Sequence, residues 1–199
     1  SSLMHIYLIE AGPRLLAGMS EESSAHAEQF LREMGVNILL NKRVVDYRDH
    51  KVVLEDGTEI ATRTFIWVSG VTGVTIGNLD ASLIGRGGRI KVDSFNRVEG
   101  MNNVFAIGDQ CIQLADENYP NGHPQLAQVA IQQGELLAKN LIRMEKGQEM
   151  KPFHYRNLGS MATVGRNRAV AEFSKVKMQG WFAWVMWLVV HLRSILGVR

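Results

Sequence analysis

The segment VFAIGD, residues 104–107 followed by Gly108 and Asp109, carries the clearest chemical pattern in this sequence. Its four apolar residues predict a short buried strand, and Gly108 lets the backbone approach a ligand closely because it has no Cβ. Asp109 would then lie at the carboxyl end of a strand, where open α/β sheets bind their ligands. A carboxylate there is suited to accept hydrogen bonds from sugar hydroxyls. An ordinary exit from a strand into a turn is the alternative interpretation.

A second carboxylate follows a predicted strand near the N-terminus. The segment HIYLIE predicts a buried strand over residues 5–10, and it ends at Glu10. An acid at the end of the second strand of a βαβ unit can bind the ribose hydroxyls of a dinucleotide, and it repels a 2′-phosphate. Glu10 therefore favours NADH over NADPH, although the nearby Arg14 weakens that preference. A surface acid at a strand end is the alternative.

A stretch of glutamine and alanine, PQLAQVAIQQG, predicts the first part of a long helix over residues 124–146. Gln128 and Gln132 are four residues apart and share one helix face. Small side chains at Ala127 and Ala130 leave room for a flat ring close to the backbone. The positive N-terminal end of the helix suits an anionic ring edge. A packing helix with solvated glutamines is the alternative.

The elements around these residues predict an α/β protein, because buried strands alternate with amphipathic helices. A helix is predicted from Ser20 to Met34, with Ser20 as its N-cap. Residues 72–88 are glycine-rich and are interpreted as a crossing between domains. The other predictions are buried strands at 36–40 and 64–68, short strands at 43–47, 51–55, 58–61 and 89–92, a hairpin at 160–173 and an apolar helix at 180–197.

Composition and charge indicate a folded protein with two electrostatically different parts. The 199 residues are 46% hydrophobic and 21% charged, which is typical of a globular protein. Residues 1–150 contain 14 basic and 19 acidic residues, whereas residues 151–199 contain eight basic residues and one acid, Glu172. This distribution favours an anionic membrane surface as a partner. We expect no nucleic acid partner and no metal site.

The C-terminal segment GWFAWVMWLVVHLRSILGVR contains three of the four tryptophans. Its uninterrupted apolar run, residues 181–190, has ten residues, whereas a helix that spans a bilayer needs about 20. The segment is therefore interpreted as an interfacial helix, with a buried core helix as the alternative. The basic residues expected to meet lipid phosphates are Lys175, Lys177, Arg193 and Arg199.

Three patterns are missing from the sequence. Cys111 is the single cysteine, so no disulfide and no CxxC redox pair forms within these residues. Residues 1–9 lack the pattern of a signal peptide, which favours a cytoplasmic location. The phosphate-binding fingerprint GxGxxG does not occur. Because Glu10 lacks a preceding phosphate loop, we expect the chain to begin after that loop, as a piece of a longer protein.

Taken in order, several segments resemble the type II NADH dehydrogenases, single-subunit flavoproteins that pass electrons from NADH to a membrane quinone. The segments are YLIEAGPRLL, FIWVSGV, VFAIGDQC, PQLAQVAIQQG, YRNLGSMATVGRNRAVAEF and GWFAWVMW. The resemblance covers essentially all of this chain but only the second half or so of the family's chain. It implies a partial two-dinucleotide-binding-domain flavoprotein fold, which is Rossmann-like and binds FAD and NAD(P), with a small C-terminal membrane-docking domain.

The resemblance also implies three domains and the NADH-binding residues. Residues 1–76 would be the remainder of an NADH-binding domain, and residues 77–150 would be the C-terminal portion of an FAD-binding domain. Residues 151–199 would form a basic, tryptophan-rich, membrane-associated domain. Glu10 would hold the adenosine ribose of NADH, and Gly70 would let the backbone pass close to the nicotinamide.

The remaining site residues implied by the resemblance lie in the second domain. Gly108 and Asp109 would bind the ribityl or pyrophosphate part of FAD, and Ala127 and Gln128 would contact the isoalloxazine ring. Gln128 and Gln132 would line the quinone pocket. Hydride transfer from nicotinamide to flavin requires no acid–base pair, so no catalytic side chain is assigned. Two histidines, His123 and His191, are candidates for supplying protons to the quinone, with a structural role as the alternative.

The resemblance implies a respiratory enzyme held peripherally at the cytoplasmic face of the inner (plasma) membrane. A homodimer is a second use for the apolar tail. Because the phosphate loops for FAD and NADH both lie outside these residues, we expect the chain as given to bind neither cofactor well. The alternatives are a non-catalytic nucleotide-binding and membrane-docking module, or a related flavoprotein such as sulfide:quinone oxidoreductase, which needs a pair of reactive cysteines.

Overall fold

A computed structural model describes residues 4–74, 76–174 and 176–195, and the chain divides into two compact units. The first unit comprises residues 1–67 together with residues 158–199, and the second comprises residues 68–157. The domain limits implied by the sequence, at residues 76 and 150, stay predictions.

The first unit opens with a parallel strand–helix–strand arrangement. Strands β1 (Ile6–Ile9) and β2 (Val36–Leu39) pair in parallel and are connected by helix α1 (Glu21–Glu33). The Ser20 hydroxyl accepts a hydrogen bond from the Ser23 amide at 3.3 Å, so the predicted N-cap is confirmed. The predicted strands also form, but the first half of β1 is exposed rather than buried.

An antiparallel three-stranded sheet follows, built from β3 (Val44–Arg48), β4 (Lys51–Leu54) and β5 (Glu59–Ala61). These strands confirm the short strands predicted at 43–47, 51–55 and 58–61. By contrast, residues 64–68, predicted as a buried strand, join no sheet in the described part of the chain, and Val68 is 89% exposed. That prediction was wrong, because an apolar run becomes a strand only beside a sheet edge that offers it hydrogen bonds.

The second unit is built on strands β6 (Ile90–Val92) and β7 (Cys111–Gln113), which pair in parallel, and on helix α2 (Ala127–Glu145). Ile90 and Val92 of β6 and Cys111 of β7 are buried in one core cluster. Helix α2 starts three residues later than predicted, because the Pro124 carbonyl accepts a hydrogen bond from the Leu126 amide at 3.0 Å and closes a turn there.

Residues 104–107 do not form the predicted buried strand. Only Phe105 makes a bridge, with Arg97, and Val104 is exposed. The local hydrogen bonds go to a neighbouring loop, since the Ala106 amide donates to the Asn96 carbonyl at 3.0 Å. One turn of 3₁₀-helix, Gly108–Gln110, then leads directly into β7. The Gly108–Asp109 pair therefore precedes a strand rather than following one.

The C-terminal part of the first unit is a sheet covered by a helix. Strands β8 (Ser160–Gly165), β9 (Arg168–Phe173) and β10 (Val176–Gln179) are antiparallel with β9 in the centre, and helix α3 (Gly180–Ile195) follows. The predicted hairpin is confirmed. Small side chains let α3 approach β9 closely: Ala169, Ala171 and Ala183 are fully buried. Residues 196 and 197, predicted as the helix end, lie outside the described residues.

Strand β9 also supplies an acid to the start of α1. The Glu172 carboxylate accepts hydrogen bonds from the Ser20 amide at 2.9 Å and from the Ser20 hydroxyl. Burial raises the pKa of Glu172, but hydrogen bonds from Ser20 and Ser23 outweigh it and hold the pKa below its ordinary value. A carboxylate at this end of a helix is favourable, because the helix N-terminus carries partial positive charge.

Candidate functional site

The Gly108–Asp109 loop lies directly against helix α2. The Gly108 amide donates to the Gln133 Oε1 atom at 2.7 Å, and the backbone of Gly108 has φ of +66°. A Cβ atom on Gly108 would lie 3.2 Å from the Cβ of Ala130, tighter than an ordinary contact. The loop therefore needs glycine for its left-handed backbone and for its packing against α2.

Gln133 is a residue that the sequence reasoning missed. It is 1% exposed, and its Nε2 atom lies 3.6 Å from the Cys111 sulfur. Burial raises the pKa of the Cys111 thiol, which makes it a packing group rather than a nucleophile. The only sequence signal for Gln133 was its place beside Gln132, in the middle of the glutamine-rich segment.

Asp109 and the start of α2 lie together. The Asp109 carboxylate is exposed and makes no hydrogen bond or ion pair with the described residues, while its carbonyl accepts from Gln125 Nε2 at 3.3 Å. Ala127, the first residue of α2, is also exposed. Gly108 and Asp109 thus lie against the first turns of α2, the helix that begins at Ala127, where the partial positive charge of a helix N-terminus favours anionic and polar ligands.

The two predicted quinone ligands lie on α2 but differ in their surroundings. Gln128 is half-buried. The Gln132 carboxamide makes a two-point contact with the backbone of Arg156: Nε2 donates to the carbonyl at 2.9 Å, and Oε1 accepts from the amide at 3.0 Å. Gln132 is therefore not a solvated surface glutamine. It borders an open groove of about 320 Å³, whose other lining residues are Glu135, Leu136, Lys139, Pro152, Phe153 and His154.

The same two-point contact recurs twice in this unit. Asn140 exchanges hydrogen bonds of 2.8 and 2.9 Å with the backbone of Lys151, and Gln110 exchanges hydrogen bonds of 2.6 and 2.9 Å with the backbone of Val74. A side-chain carboxamide has the donor and acceptor of a peptide group, so it satisfies backbone that no neighbouring strand pairs. These contacts fix irregular segments without a sheet.

A further group of side chains, which we call the His123 cluster, consists of Asp116, Tyr119, His123, Phe153 and Tyr155. Asp116, His123 and Phe153 are buried, and the two tyrosines are half-buried. His123 Nε2 lies 2.9 Å from Asp116 Oδ2, and the hydrogen bond from His123 holds the Asp116 pKa below its ordinary value. The His123 ring lies 5.1–5.9 Å from the three aromatic rings. The His123 Nδ1 atom and the Tyr155 hydroxyl are buried and have no partner among the described residues.

The predicted NADH residues lie in different units, Glu10 in the first and Gly70 in the second. Glu10 Oε1 accepts from the Gly12 amide at 2.7 Å, and the side chain is half-buried. The Arg14 guanidinium donates to the carbonyls of Ala17 and Met19 at 2.9 and 2.8 Å, so it is committed to a turn rather than to Glu10. Gly70 has φ of +84° and is exposed.

Helix α3 leaves a large apolar surface uncovered. The α3 apolar surface, as we call it, consists of Trp181, Phe182, Val189, Val190, Leu192 and Ile195, with Phe182 and Ile195 70% and 80% exposed. Apolar patches of this kind mark surfaces that bind proteins or membranes. Within the described ranges, every helix is too short or too polar to cross a bilayer.

Two of the basic residues near α3 form ion pairs within the protein. Lys177 pairs with Glu22 on α1 at 2.9 Å, and Arg168 pairs with Glu33 at 3.3 Å. Arg193 is exposed. The two other predicted lipid contacts, Lys175 and Arg199, lie outside the described residues.

Two family models match the chain. The model of the pyridine nucleotide-disulphide oxidoreductases matches residues 2–134, and that of the NDH2 C-terminal domain matches residues 157–199. The chain is 35% identical to the type II NADH:quinone oxidoreductase NdhA of Mycobacterium tuberculosis, over 98% of this chain and 43% of the relative. It is 32% identical to the mitochondrial internal alternative NAD(P)H-ubiquinone oxidoreductase A1 of Arabidopsis thaliana, over 98% of this chain and 41% of that relative.

Solved structures share the fold. NDH2 from Plasmodium falciparum, in complex with NADH, superposes with a TM-score of 0.83 at 20% identity, over 96% of this chain and 54% of that chain. Sulfide:quinone oxidoreductase from Aquifex aeolicus superposes with a TM-score of 0.69 at 15% identity, over 89% of this chain and 46% of that chain. The expected α/β fold of FAD- and NAD-binding reductases is confirmed. The chain spans about half the length of the curated relatives it matches.

Proposed function

Because the chain belongs to the pyridine nucleotide-disulphide oxidoreductase family, we propose that it forms the second half of an NADH:quinone oxidoreductase that uses FAD. The observation that carries this proposal is the contact of the Gly108–Asp109 loop with α2. That contact joins the predicted flavin-binding residues and the predicted quinone-binding glutamines within one unit. The type II NADH dehydrogenases named among its relatives support the same reaction.

The residues around the start of α2 fit a flavin dinucleotide. The exposed Asp109 carboxylate accepts no hydrogen bond from the described residues, so its oxygens are free to accept hydrogen bonds from sugar or ribityl hydroxyls. Ala127 and Ala130 keep the helix surface flat, and Gln128 adds a half-buried carboxamide one position along. FAD, when bound, supplies the two-electron chemistry that links a hydride donor to a quinone. The positive end of α2 favours an anionic ring edge there.

Glu10 suits the ribose of NADH. Its Oε1 atom is held by the Gly12 amide, which orients the carboxylate and leaves Oε2 to accept from a hydroxyl. A 2′-phosphate would face this negative charge, and the Arg14 guanidinium is held by the carbonyls of Ala17 and Met19 rather than placed to bind a phosphate beside Glu10. We therefore expect NADH to be preferred over NADPH. Gly70, with its left-handed backbone, is assigned to the nicotinamide end.

Gln128 and Gln132 are assigned to the quinone. One N–H of the Gln132 amide is used by Arg156, and a carboxamide nitrogen carries two, so a second N–H remains to donate to a quinone carbonyl. Protons for the quinol come from solvent through the open groove beside Gln132.

The α3 apolar surface is assigned to the membrane that holds the quinone. Tryptophan and phenylalanine at its edge and the exposed Arg193 suit the boundary between headgroups and acyl chains. We place the enzyme peripherally at the cytoplasmic face of the inner membrane. A homodimer that covers α3 is the competing use of this surface.

A sulfide:quinone oxidoreductase and a non-catalytic nucleotide-binding module are not favoured. The first needs paired reactive cysteines, whereas Cys111 is the single cysteine of these residues and is buried. The second is disfavoured by relatives that are named as enzymes over almost the whole of this chain.

The deciding experiment is steady-state oxidation of NADH and NADPH by the native flavin-loaded protein, in detergent with a soluble quinone. We expect fast turnover that prefers NADH and falls sharply in Gln132→Ala while flavin stays bound. Reduction of ferricyanide, an acceptor that needs no quinone site, is the control. Bound flavin without quinone-dependent turnover would refute the proposal.

A further inference from the structure

We propose that the His123 cluster is a positioning unit for the quinone site: it holds residues 153–156 against α2 and thereby fixes the orientation of the Gln132 carboxamide. The inference rests on the proposed function. It assigns roles to Asp116, His123 and Tyr155, which the reaction described above does not use.

Residues 151–156 have no sheet to hold them within the described part of the chain. Their backbone is fixed at three points instead: Lys151 by Asn140, Phe153 by the Ser94 carbonyl at 2.7 Å, and Arg156 by Gln132. The contact with Gln132 works in both directions. The contact fixes the segment, and it also fixes the orientation of the Gln132 carboxamide. The Arg156 amide must face the carboxamide oxygen, and the Arg156 carbonyl must face the carboxamide nitrogen.

The side chains of this segment alternate between the cluster and solvent. Phe153 is buried and Tyr155 half-buried, whereas His154 and Arg156 are exposed. The rings of Phe153 and Tyr155 lie 5.2 and 5.9 Å from the His123 ring. The His123 ring is thus the surface on which the segment rests, and the position of Arg156 depends on where that ring is held.

The His123 ring is itself held tightly. Its Nε2 atom bonds to Asp116, and the Asp116 carboxylate is fixed in turn by the Asn118 amide at 3.0 Å. The His123 carbonyl accepts from the buried Arg89 guanidinium at 3.1 Å. A carboxylate that orients one imidazole nitrogen restricts rotation of the ring. The chain of contacts therefore runs from Asp116 through His123 and Tyr155 to the Arg156–Gln132 pair.

A double-mutant cycle tests this chain of contacts. His123→Phe, Gln132→Leu and the double variant are made in the native flavin-loaded protein, and KM and kcat are measured with a soluble short-chain quinone. If both residues act through the position of residues 153–156, each single variant raises the quinone KM, roughly fivefold, and the double variant raises it no further than the larger single change. The KM for NADH and the rate with ferricyanide stay at the wild-type values.

Independent roles give a different result. If the effects of His123→Phe and Gln132→Leu on the quinone KM multiply, or if His123→Phe leaves it unchanged, the proposal is overturned. Asp116→Asn keeps the size of the side chain but replaces the carboxylate that orients His123 by a neutral, weaker acceptor, so it replaces His123→Phe in the cycle if that variant does not fold. His26→Gln, on α1 in the other unit, is the matched histidine control and should leave every parameter unchanged. A wild-type protein that reduces ferricyanide but no quinone refutes the proposed function itself, whereas additive variants in a quinone-reducing protein refute only the positioning role.

Discussion

Replacement of Gly108 by alanine tests whether the Gly108–Asp109 loop is locked onto helix α2. Gly108 has φ of +66°, and an L-residue with a Cβ pays about 1–2 kcal/mol to adopt the left-handed region. The new Cβ would also lie 3.2 Å from the Cβ of Ala130, so the loop or the helix must retreat by a few tenths of an ångström. Such a retreat weakens the hydrogen bond of 2.7 Å between the Gly108 amide and Gln133, which is worth about 1 kcal/mol.

We therefore expect Gly108→Ala to lower the free energy of unfolding by about 2–3 kcal/mol. Gly147→Ala is the matched control, because Gly147 has nearly the same φ, +65°, and no atom within 4 Å of its would-be Cβ. Gly147→Ala is destabilised only by the strain of a left-handed backbone. The difference in the free energy of unfolding between the two variants therefore measures the loss of packing and hydrogen bonding at Gly108. The assay is urea unfolding followed by circular dichroism, with flavin content read from absorbance.

A second-site change separates the contact from the backbone strain. Ala130→Gly removes the methyl group that the new Cβ meets, and by itself it costs about 1 kcal/mol of helix stability. In the double variant the contact is absent, so the two changes should cost less together than the sum of the single changes. If Gly108→Ala is no worse than Gly147→Ala and shows no coupling with Ala130→Gly, the loop is not packed tightly on α2 and the reasoning fails.

Three further substitutions test other parts of the molecule. Glu172→Gln should lower the melting temperature at pH 7, because the pKa of Glu172 is lower in the folded protein than in the unfolded chain. The stabilisation that the ionised Glu172 provides is complete above the pKa of the unfolded chain, near 4.5, and disappears as the pH falls through the pKa of the folded protein. A difference between the two proteins that persists at pH 2 would contradict this assignment. Tyr155→Phe should raise the free energy of unfolding by about 1 kcal/mol, since it removes a buried hydroxyl that has no partner among the described residues. The assay is urea unfolding, and a lower free energy of unfolding in the variant would show that the hydroxyl does make a hydrogen bond. Glu10→Gln should raise the KM for NADH about tenfold and that for NADPH much less, whereas steady-state kinetics with equal increases would exclude a ribose contact.

Local elements could be predicted where short-range chemistry decides them. The N-cap of α1 at Ser20 follows from side-chain type, and the β8–β9 hairpin turns at Asn167, whose φ of +63° suits asparagine. The predictions at residues 64–68 and 104–107 were wrong for one shared reason. Apolar residues predict that a segment avoids water, but whether it becomes a strand depends on a partner that its own residues do not specify.

The residues of the candidate site also divide into those that the local sequence predicts and those that depend on contacts between distant segments. Gly108, Asp109 and Ala127 could be chosen from residue type and spacing, and the Gly108–Asp109 loop does lie against the helix that Ala127 begins. Gln133 and the His123 cluster could not, because their contacts join positions between 7 and 34 residues apart, and nothing in the periodicity of either segment says that they meet.

The sequence by itself determined the class of fold, the family resemblance and the short list of polar residues at the start of α2, since these depend on composition, period and local spacing. Only the tertiary structure decided what those residues touch. It showed that Gly108 is packed on Ala130, that Gln132 is tied to the backbone of Arg156, and that Arg14 is bound to a turn. The physical reason is that a hydrogen bond needs donor and acceptor within about 3 Å and in line, a condition that is set by how distant segments pack.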